Sequence, residues 1–378
     1  MRARVAAVLP LLLALGSGRA AAQGSVFGLR GLGWLGRGVS ARSAGTEGAL
    51  SLFDPQMTAN PAALGHWRSA AGWAVVAPTR RSFEGPSGSA SLQTSRFPVF
   101  GFAAVIPTRT VVSVAISDYL DRTWTITRQD STVLRGVTEK YTEAGRSIGG
   151  VSDMSLSAAY RLTPDLMVGV GFHHYLGSAR LAAQKLFDNV VYQQAAEASV
   201  TDFSGAGISV GVLGTLQHLD VAFAARLNGS LHSTNTSGQS ATTKLPNQLG
   251  LGLRYLPVPG VFLVGSAEYA GWGAANADLL AAARDGARNT WSLAAGAEVL
   301  SVSLLGLRTP LRIGYRWRQL PFLSLGQGID ESAFGGGFGF SLARGRTSVD
   351  FSFEKGSRST GAEQETFSTI FAGLTVRP

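Results

Sequence analysis

The chain has 378 residues, no cysteine, 45% hydrophobic residues and a formal net charge of +9. No disulfide can hold it, so backbone ladders and packing must. Lys and Arg are scattered rather than gathered into a stripe or a recognised module, which argues against nucleic acid as a partner, and no stretch approaches the ~18 consecutive apolar residues of a helical membrane span.

Residues 1–22 read as a secretion leader. Arg2 and Arg4 supply the charged start, Val5 to Gly16 the apolar core, and Ala20-Ala21-Ala22 a small-residue cleavage site. The apolar core is too short to stay as a membrane span. Export without a helical anchor leaves a periplasmic protein, a secreted protein or an outer-membrane barrel.

Residues 23–66 are predicted to form a hatch of short helical turns rather than strands. Small residues from Ala44 to Ala49 run into Asp54-Pro55 and then Asn60-Pro61-Ala62. Each proline disfavours helix at the residue before it and removes a backbone donor, so the segment must turn sharply. Asn60 is a turn initiator, and Pro61 suits the first position of a short helix carrying Ala62, Ala63 and Leu64.

From Trp67 to Pro378 the chain reads as strand after strand. Short connections (Pro107-Thr-Arg109, Thr163-Pro-Asp165, Gln217-His218, Pro257-Val-Pro-Gly260, the longer Ser301–Arg308, and Ala343-Arg-Gly-Arg346) alternate with long polar ones near 78–96, 128–148, 183–202, 232–246, 273–288, 319–330 and 356–365. Short turns on one side and long loops on the other mark a transmembrane β-barrel, here of about 14 antiparallel strands. Within the loops, Ala274–Arg288 reads as helical, and Leu176–Val200 as either a long hairpin turning at Asp188-Asn189 or a helix. Alternation supports the strands: Leu311, Ile313, Tyr315 and Trp317 oppose Arg312, Gly314 and Arg316, and Leu249, Leu251, Leu253 and Tyr255 oppose Gln248 and Arg254. A period of two also describes a water-soluble sandwich, because it does not say which face meets solvent.

The polar residues that carry most information face one way. Arg312, Arg316 and Arg318 share a strand face; the next strand offers Gly335, Gly337 and Gly339; the one after offers Asp350 and Glu354. Arginine and carboxylate rows would stand ~10 Å apart across bare glycine, two strand spacings. Two readings stay open. The rows form a salt-bridge lattice that anchors the hatch through Glu47 or Asp54, or one arginine is left to hold a ligand carboxylate; the glycines equally make room for a plug. His173 and His174 are adjacent on a strand, point to opposite faces and cannot chelate one metal. No metal, cofactor or G-x-S-x-G pattern occurs, and no Ser–His pair stands out, so an enzyme is not expected. Trp73, Trp124, Trp272, Trp291 and Trp317 read as girdle or packing residues.

The small-residue run, Asp54-Pro55 and Asn60-Pro61-Ala62, followed by these strands, resembles the N-terminal hatch of the FadL-type outer-membrane transporters of long-chain fatty acids and other hydrophobic compounds. Leu245-Pro246, Tyr255-Leu-Pro-Val-Pro-Gly260, Trp291-Ser292 and Arg312-Ile-Gly-Tyr315 extend the likeness over most of the chain after Arg42. The resemblance implies passive uptake of a hydrophobic small molecule across the outer membrane of a Gram-negative-type bacterium, with the ligand passing the hatch and leaving sideways into lipid. A filled lumen excludes a wide aqueous pore, and Leu50, Leu52, Phe53, Met57 and Leu64 would line a greasy pocket. The PorV-type proteins of type IX secretion share the architecture, and that alternative would instead bind exported proteins through the outer loops. The chain ends Val376-Arg-Pro378, departing from the terminal aromatic common in such barrels, with Phe371 inside the last strand.

Overall fold

In a computed structural model of the chain, residues 26–378 are described apart from 86, 87, 107, 108, 190, 283, 301, 305, 306 and 362. The leader read over 1–22 lies outside the described residues, as do parts of the turns at 107–109 and 301–308. The rest is a closed antiparallel barrel of 14 strands. They are β1 (Ala71–Gly85), β2 (Gly88–Arg96 continuing as Val99–Ile106), β3 (Thr110–Asp121, then Trp124–Leu134), β4 (Val137–Thr163), β5 (Leu166–Phe187) and β6 (Ala195–Leu216). There follow β7 (Leu219–Asn228, then Ser230–Asn235), β8 (Ser240–Lys244, then Gln248–Val258), β9 (Val261–Ala270) and β10 (Thr290–Val299). The last four are β11 (Leu311–Gln319), β12 (Asp330–Leu342), β13 (Thr347–Ser359) and β14 (Gln364–Val376). The ladder from Gly72↔Val376 to Glu84↔Gln364 joins β1 to β14 and closes the ring, leaving no free sheet edge there.

The strands meet at tight turns on one end and run far past them on the other. Of the predicted long loops, 78–96, 128–148, 183–202, 232–246 and 356–365 are corrected by the structure: they are mostly hairpin. β4 has 27 residues and β5 and β6 have 22 each, against the ~9–11 that cross a bilayer. A ladder is held by backbone groups, so polar side chains do not end it. Of the two readings of Leu176–Val200 the hairpin forms, its strands ending at Phe187 and resuming at Ala195, and the helical reading of Ala274–Arg288 corresponds to a 3-10 turn (Trp272–Ala275) leading into a helix at Asn276–Ala281.

Burial settles the ambiguity of the alternating pattern, and it is inverted relative to a soluble protein. Leu249, Leu251, Leu253 and Tyr255 of β8 point out, and on β11 Ile313 is 66% exposed while its neighbours Arg312 and Arg316 are 7% and 4% exposed. Such rows of outward apolar residues recur on most strands. A continuous apolar belt of this kind would aggregate in water and suits the hydrocarbon of a bilayer. Among the tryptophans, Trp291 stands on the outer surface beside Tyr269, whereas Trp73 and Trp272 are buried inside, Trp73 stacked on Trp67 at 5.7 Å.

The lumen holds the N-terminal segment. It makes a 3-10 turn (Val26–Leu29), a two-residue strand (Trp34–Leu35), one turn of helix (Ala41–Ala44), a run of tight turns to Asp54, and a second 3-10 helix (Pro61–His66). Ser40 caps the helix by accepting from Ser43 N at 2.9 Å while its hydroxyl donates to Asp54 at 2.7 Å. Ala41, Ala44, Leu50, Leu52, Phe53 and Ala62 are buried against wall residues, so the hatch and the inner wall form one core.

Among the described residues the wall has one unzipped stretch. β2 and β3 are paired from Ile106↔Thr110 to Val99↔Ser117. Beyond that rung the upper part of β2 pairs with β1 and the upper part of β3 with β4, and among the described residues no ladder joins Gly88–Arg96 to Trp124–Leu134. Pro98 sits at the parting, where it lacks the donor a ladder needs. Into the base of this seam comes the hatch: Trp34 and Leu35 pair with Asp121 and Leu120.

Candidate functional site

The Asn-Pro-Ala motif is a docking device. Asn60 caps the 3-10 helix through Oδ1, which accepts from Ala62 N at 3.0 Å, and its Nδ2 donates to Leu52 O at 2.9 Å. Pro61 occupies the first turn, where a missing N–H costs nothing. The motif lies on Gly169 and Gly211, which face each other across β5 and β6. A Cβ on Gly211 would fall 1.9 Å from Asn60 Oδ1, and one on Gly169 2.4 Å from Ala62 N. The same device recurs at Gly296 and Gly314, a second register pair, against Thr46, and at Gly250 and Gly252 under Leu52 and Phe53. Bare glycine lets the hatch backbone touch the wall. Asp54 and Pro55 serve the hatch itself: Asp54 accepts from Ser40 Oγ and from Gln56 N, and Pro55 O accepts from Trp67 Nε1.

The arginine and carboxylate rows do meet, through long side chains reaching over the glycine strip. Arg312 donates to Glu298 at 2.8 Å and to Asp350 at 2.6 Å. Arg316 donates to Glu47 at 2.7 Å, Glu331 at 2.8 Å and Glu354 at 2.7 Å. Arg42 of the hatch grips Glu298 with two parallel bonds of 2.9 and 2.6 Å. So Arg312 and Arg316 hold protein carboxylates, and the hatch residue clamped by this lattice is Glu47 rather than Asp54. Gly335 makes the room for it: a Cβ there would lie 2.3 Å from Glu47 Oε1.

Glu47 gives this clamp a pH dependence. Burial and the nearby Glu354 push its carboxyl up from 4.5 to about 7, against the pull of Arg316 and Arg37. Oε2 takes both arginines, while Oε1 has no hydrogen-bond partner. The folded state thus holds this proton more tightly than the unfolded chain. Its stabilising contribution is full below the unfolded value and is lost as pH rises through about 7. At 1.36 kcal/mol per unit this is at most about 3 kcal/mol. The solubilised barrel is expected to melt at a lower temperature at a pH of about 8.5 than at about 5.5, and Glu47→Gln to remove most of that difference. An unchanged difference in Glu47→Gln would assign the pH dependence to other groups.

Two cavities flank the hatch. On the loop side, one of about 250 Å³ is lined by hatch residues Leu52, Met57 and Thr58, by Tyr119, Arg226 and Trp272, and by Glu47 and Arg316 of the lattice. On the turn side, one of about 390 Å³ is lined by Phe53, Asp54, His66, Arg254, Arg312 and Asp350. His66 is kept neutral there, pushed down to about 4 by burial and by Arg254 and Arg42. The predicted apolar candidates therefore separate. Met57 faces the loop side and Phe53 the turn side, while Leu64 is buried in the core with Trp67 and Trp73. Among the described residues no three His, Asp or Glu side chains come together as a metal would require.

One constellation escaped the sequence reading. His173 Nδ1 lies 2.9 Å from both oxygens of Asp153, and Nε2 lies 2.9 Å from Ser209 Oγ. A carboxylate only accepts, so Nδ1 carries the proton and Nε2 accepts from the hydroxyl. The order Ser–His–Asp is that of a hydrolase triad, yet His173 is 0% and Ser209 3% exposed, and neither lines the two cavities. Asp153 also accepts from Arg226 Nη1 at 2.9 Å, and Arg226 Nη2 donates to Thr58 O at 2.8 Å. The relay thus ends on the hatch backbone and ties the plug to β4–β7. The residues lie on three successive strands, 20 and 36 positions apart, and no short motif marks such a spacing.

No protein-family model and no curated protein sequence matches the chain. Solved structures do. A FadL homologue of Pseudomonas aeruginosa aligns with a TM-score of 0.62 at 12% identity, covering 92% of this chain and 99% of that one. The toluene transporter TbuX of Ralstonia pickettii aligns at 0.58 and 15% identity, over 93% and 100% of the two chains. The monoaromatic hydrocarbon channel CymD aligns at 0.58 and 14%, over 90% and 97%. The likeness covers at least 90% of this chain in each case, and the chain carries the FadL-type fold, here a 14-stranded barrel around its own N-terminal segment.

Proposed function

We propose that this protein is a passive channel of a bacterial outer membrane that takes up hydrophobic molecules, long-chain fatty acids among them. The observation that carries the reading is the seam. The lumen is closed along its axis by the hatch, while the wall is unpaired between β2 and β3 where the hatch strand Trp34–Leu35 meets it. A ligand entering at the loop end rests in the cavity beside Met57, Tyr119 and Trp272. It then leaves sideways when the two-residue strand shifts. An apolar molecule gains by that route, because it ends in lipid and not in water. The similar structures of a toluene transporter and a monoaromatic hydrocarbon channel agree with cargo of this class.

The test is uptake together with cargo analysis. Cells lacking their own channels for such compounds should accumulate labelled oleate or toluene faster when they express this chain, and protein purified in mild detergent should carry an apolar small molecule. No gain in uptake, or an exported protein co-purifying with an empty lumen, would overturn the reading and favour a role in secretion.

A further inference from the structure

The outward side chains of β13, β14 and β1 change character at one level toward the loop end. Phe353 and Ile370 are register partners in the last apolar row and are 46% and 54% exposed. In the next row Arg80, Ser368 and Lys355 stand in register, with Ser368 between the two cations. Ser82, Thr366 and Ser357 follow in the row after that. Arg80 and Lys355 are exposed, whereas their chain neighbours Arg81 and Glu354 are buried in the lumen, as the alternation of a strand requires.

A cation on the lipid face of a barrel is costly at mid-membrane and tolerated near the interface, so this row marks the edge of the hydrocarbon. Short turns face the periplasm, which puts the loop-side edge in the outer leaflet. Arg80 and Lys355 are two strand spacings apart, ~10 Å. Among the described residues neither has an ion-pair partner, and the outward Glu84 lies four positions further along β1, ~13 Å away. The lumenal arginines are treated in the opposite way: Arg312 holds two carboxylates and Arg316 three. Arg146 and Arg180 also face out, on β4 and β5, but Asp202, opposite Ser178, faces out on the adjoining β6 and offsets their charge.

We propose that this row holds the head of a phosphorylated glycolipid of the outer leaflet, with one phosphate on Arg80, a second on Lys355, and sugar hydroxyls on Ser82, Thr366 and Ser357. Phosphate suits both cations, the guanidinium as a two-bond fork and the ammonium as a point charge. The gap between them is comparable with the length of a disaccharide, so a disaccharide carrying a phosphate at each end reaches both, whereas a glycerophospholipid brings a single phosphate. The acyl chains then lie on Phe353 and Ile370, the apolar row next to the cations. Arg80 also opposes Gln93 on the upper part of β2, the strand whose other edge is unpaired at the seam, so the bound head would brace one side of that opening. The inference rests on the barrel standing in an outer membrane and is independent of its cargo.

The experiment titrates the full chain in non-ionic detergent with diphosphorylated lipid A, with the same lipid stripped of both phosphates, and with phosphatidylglycerol, and counts bound lipid by native mass spectrometry. The diphosphorylated form should bind at least about tenfold more tightly than the stripped form, as charge-assisted contacts give, and added salt should narrow the ratio. Arg80→Gln and Lys355→Gln should each lower the ratio about threefold, and the two together should bring it close to one. Arg180→Gln removes the same charge elsewhere on the outer face and should leave the ratio unchanged. Heat-modifiable migration on gels reports that each variant is folded, and Lys355→Gln alone carries the test where Arg80→Gln does not fold. An undiminished ratio in the folded variants, an equal fall in Arg180→Gln, or phosphatidylglycerol binding as tightly as diphosphorylated lipid A overturns the glycolipid site and leaves uptake standing. Recovery of the chain with inner membranes on a density gradient would overturn the outer-membrane placement and this inference with it.

Discussion

Arg316→Ala is expected to destabilise the folded barrel by about 3–5 kcal/mol, the cost of leaving buried carboxylates without their cation. Arg316 is 4% exposed and holds three carboxylates from three separate places: Glu47 in the hatch, Glu331 on β12 and Glu354 on β13. Its removal leaves Glu331 with Arg318 and Arg358, and Glu354 with Arg37, but leaves Glu47 with only Arg37 at 3.7 Å. Urea unfolding in detergent measures the loss. Adding Glu47→Gln to Arg316→Ala should restore part of it, since the stranded carboxylate is then neutral. Arg312→Ala should cost less, because Glu298 keeps the two-bond grip of Arg42 and only Asp350 is stranded. A loss at Arg312 equal to that at Arg316 would place the stability in the wall pairs and not in the clamp on the hatch.

Deleting residues 43–64 should turn a closed barrel into a conducting one. The interior of a barrel widens with strand number: about 8 strands are filled by side chains and 16–18 leave an aqueous channel. A ring of 14 strands lies near the open end of that range, and here the space is taken up by the hatch. Without it, Gly169, Gly211, Gly296 and Gly314 leave bare strips where the plug rested, and Arg312, Arg316 and Glu354 face water. Planar bilayers would show the change as conductance to small ions. Conductance unchanged from the intact chain would mean that side chains and loops close the lumen and that the hatch is not what blocks it.

Much of this architecture is written locally. Alternation, the contrast between short turns and long excursions, and the even number of strands follow from residue patterns within a few positions of each other. So does the cap at Asn60, because an Asn before Pro-Ala-Ala satisfies an orphan N–H two residues on. The rows of Arg312 and Arg316 and of Asp350 and Glu354 were legible for the same reason, since sequence neighbours in an up-and-down barrel are also neighbours in space. The glycine strip admitted two readings, and contacts decide between them: Gly335 makes room for Glu47, whereas Gly337 and Gly339 make room for wall side chains.

What tertiary structure alone decided has one physical origin, closure of the ring around a segment distant in sequence. Alternation has no inside or outside until the sheet closes, so the facing of Ile313 to lipid and Arg316 to the plug was undetermined beforehand. Glu47 and Arg316 are 269 residues apart, and Ser209, His173 and Asp153 meet only because β4, β5 and β6 are adjacent. The seam depends on β2 and β3 parting beyond Val99 and Ser117, and the bare Oε1 of Glu47 is defined by everything that fails to approach it. A sequence names the groups that can pair, but only packing shows which are left without a partner.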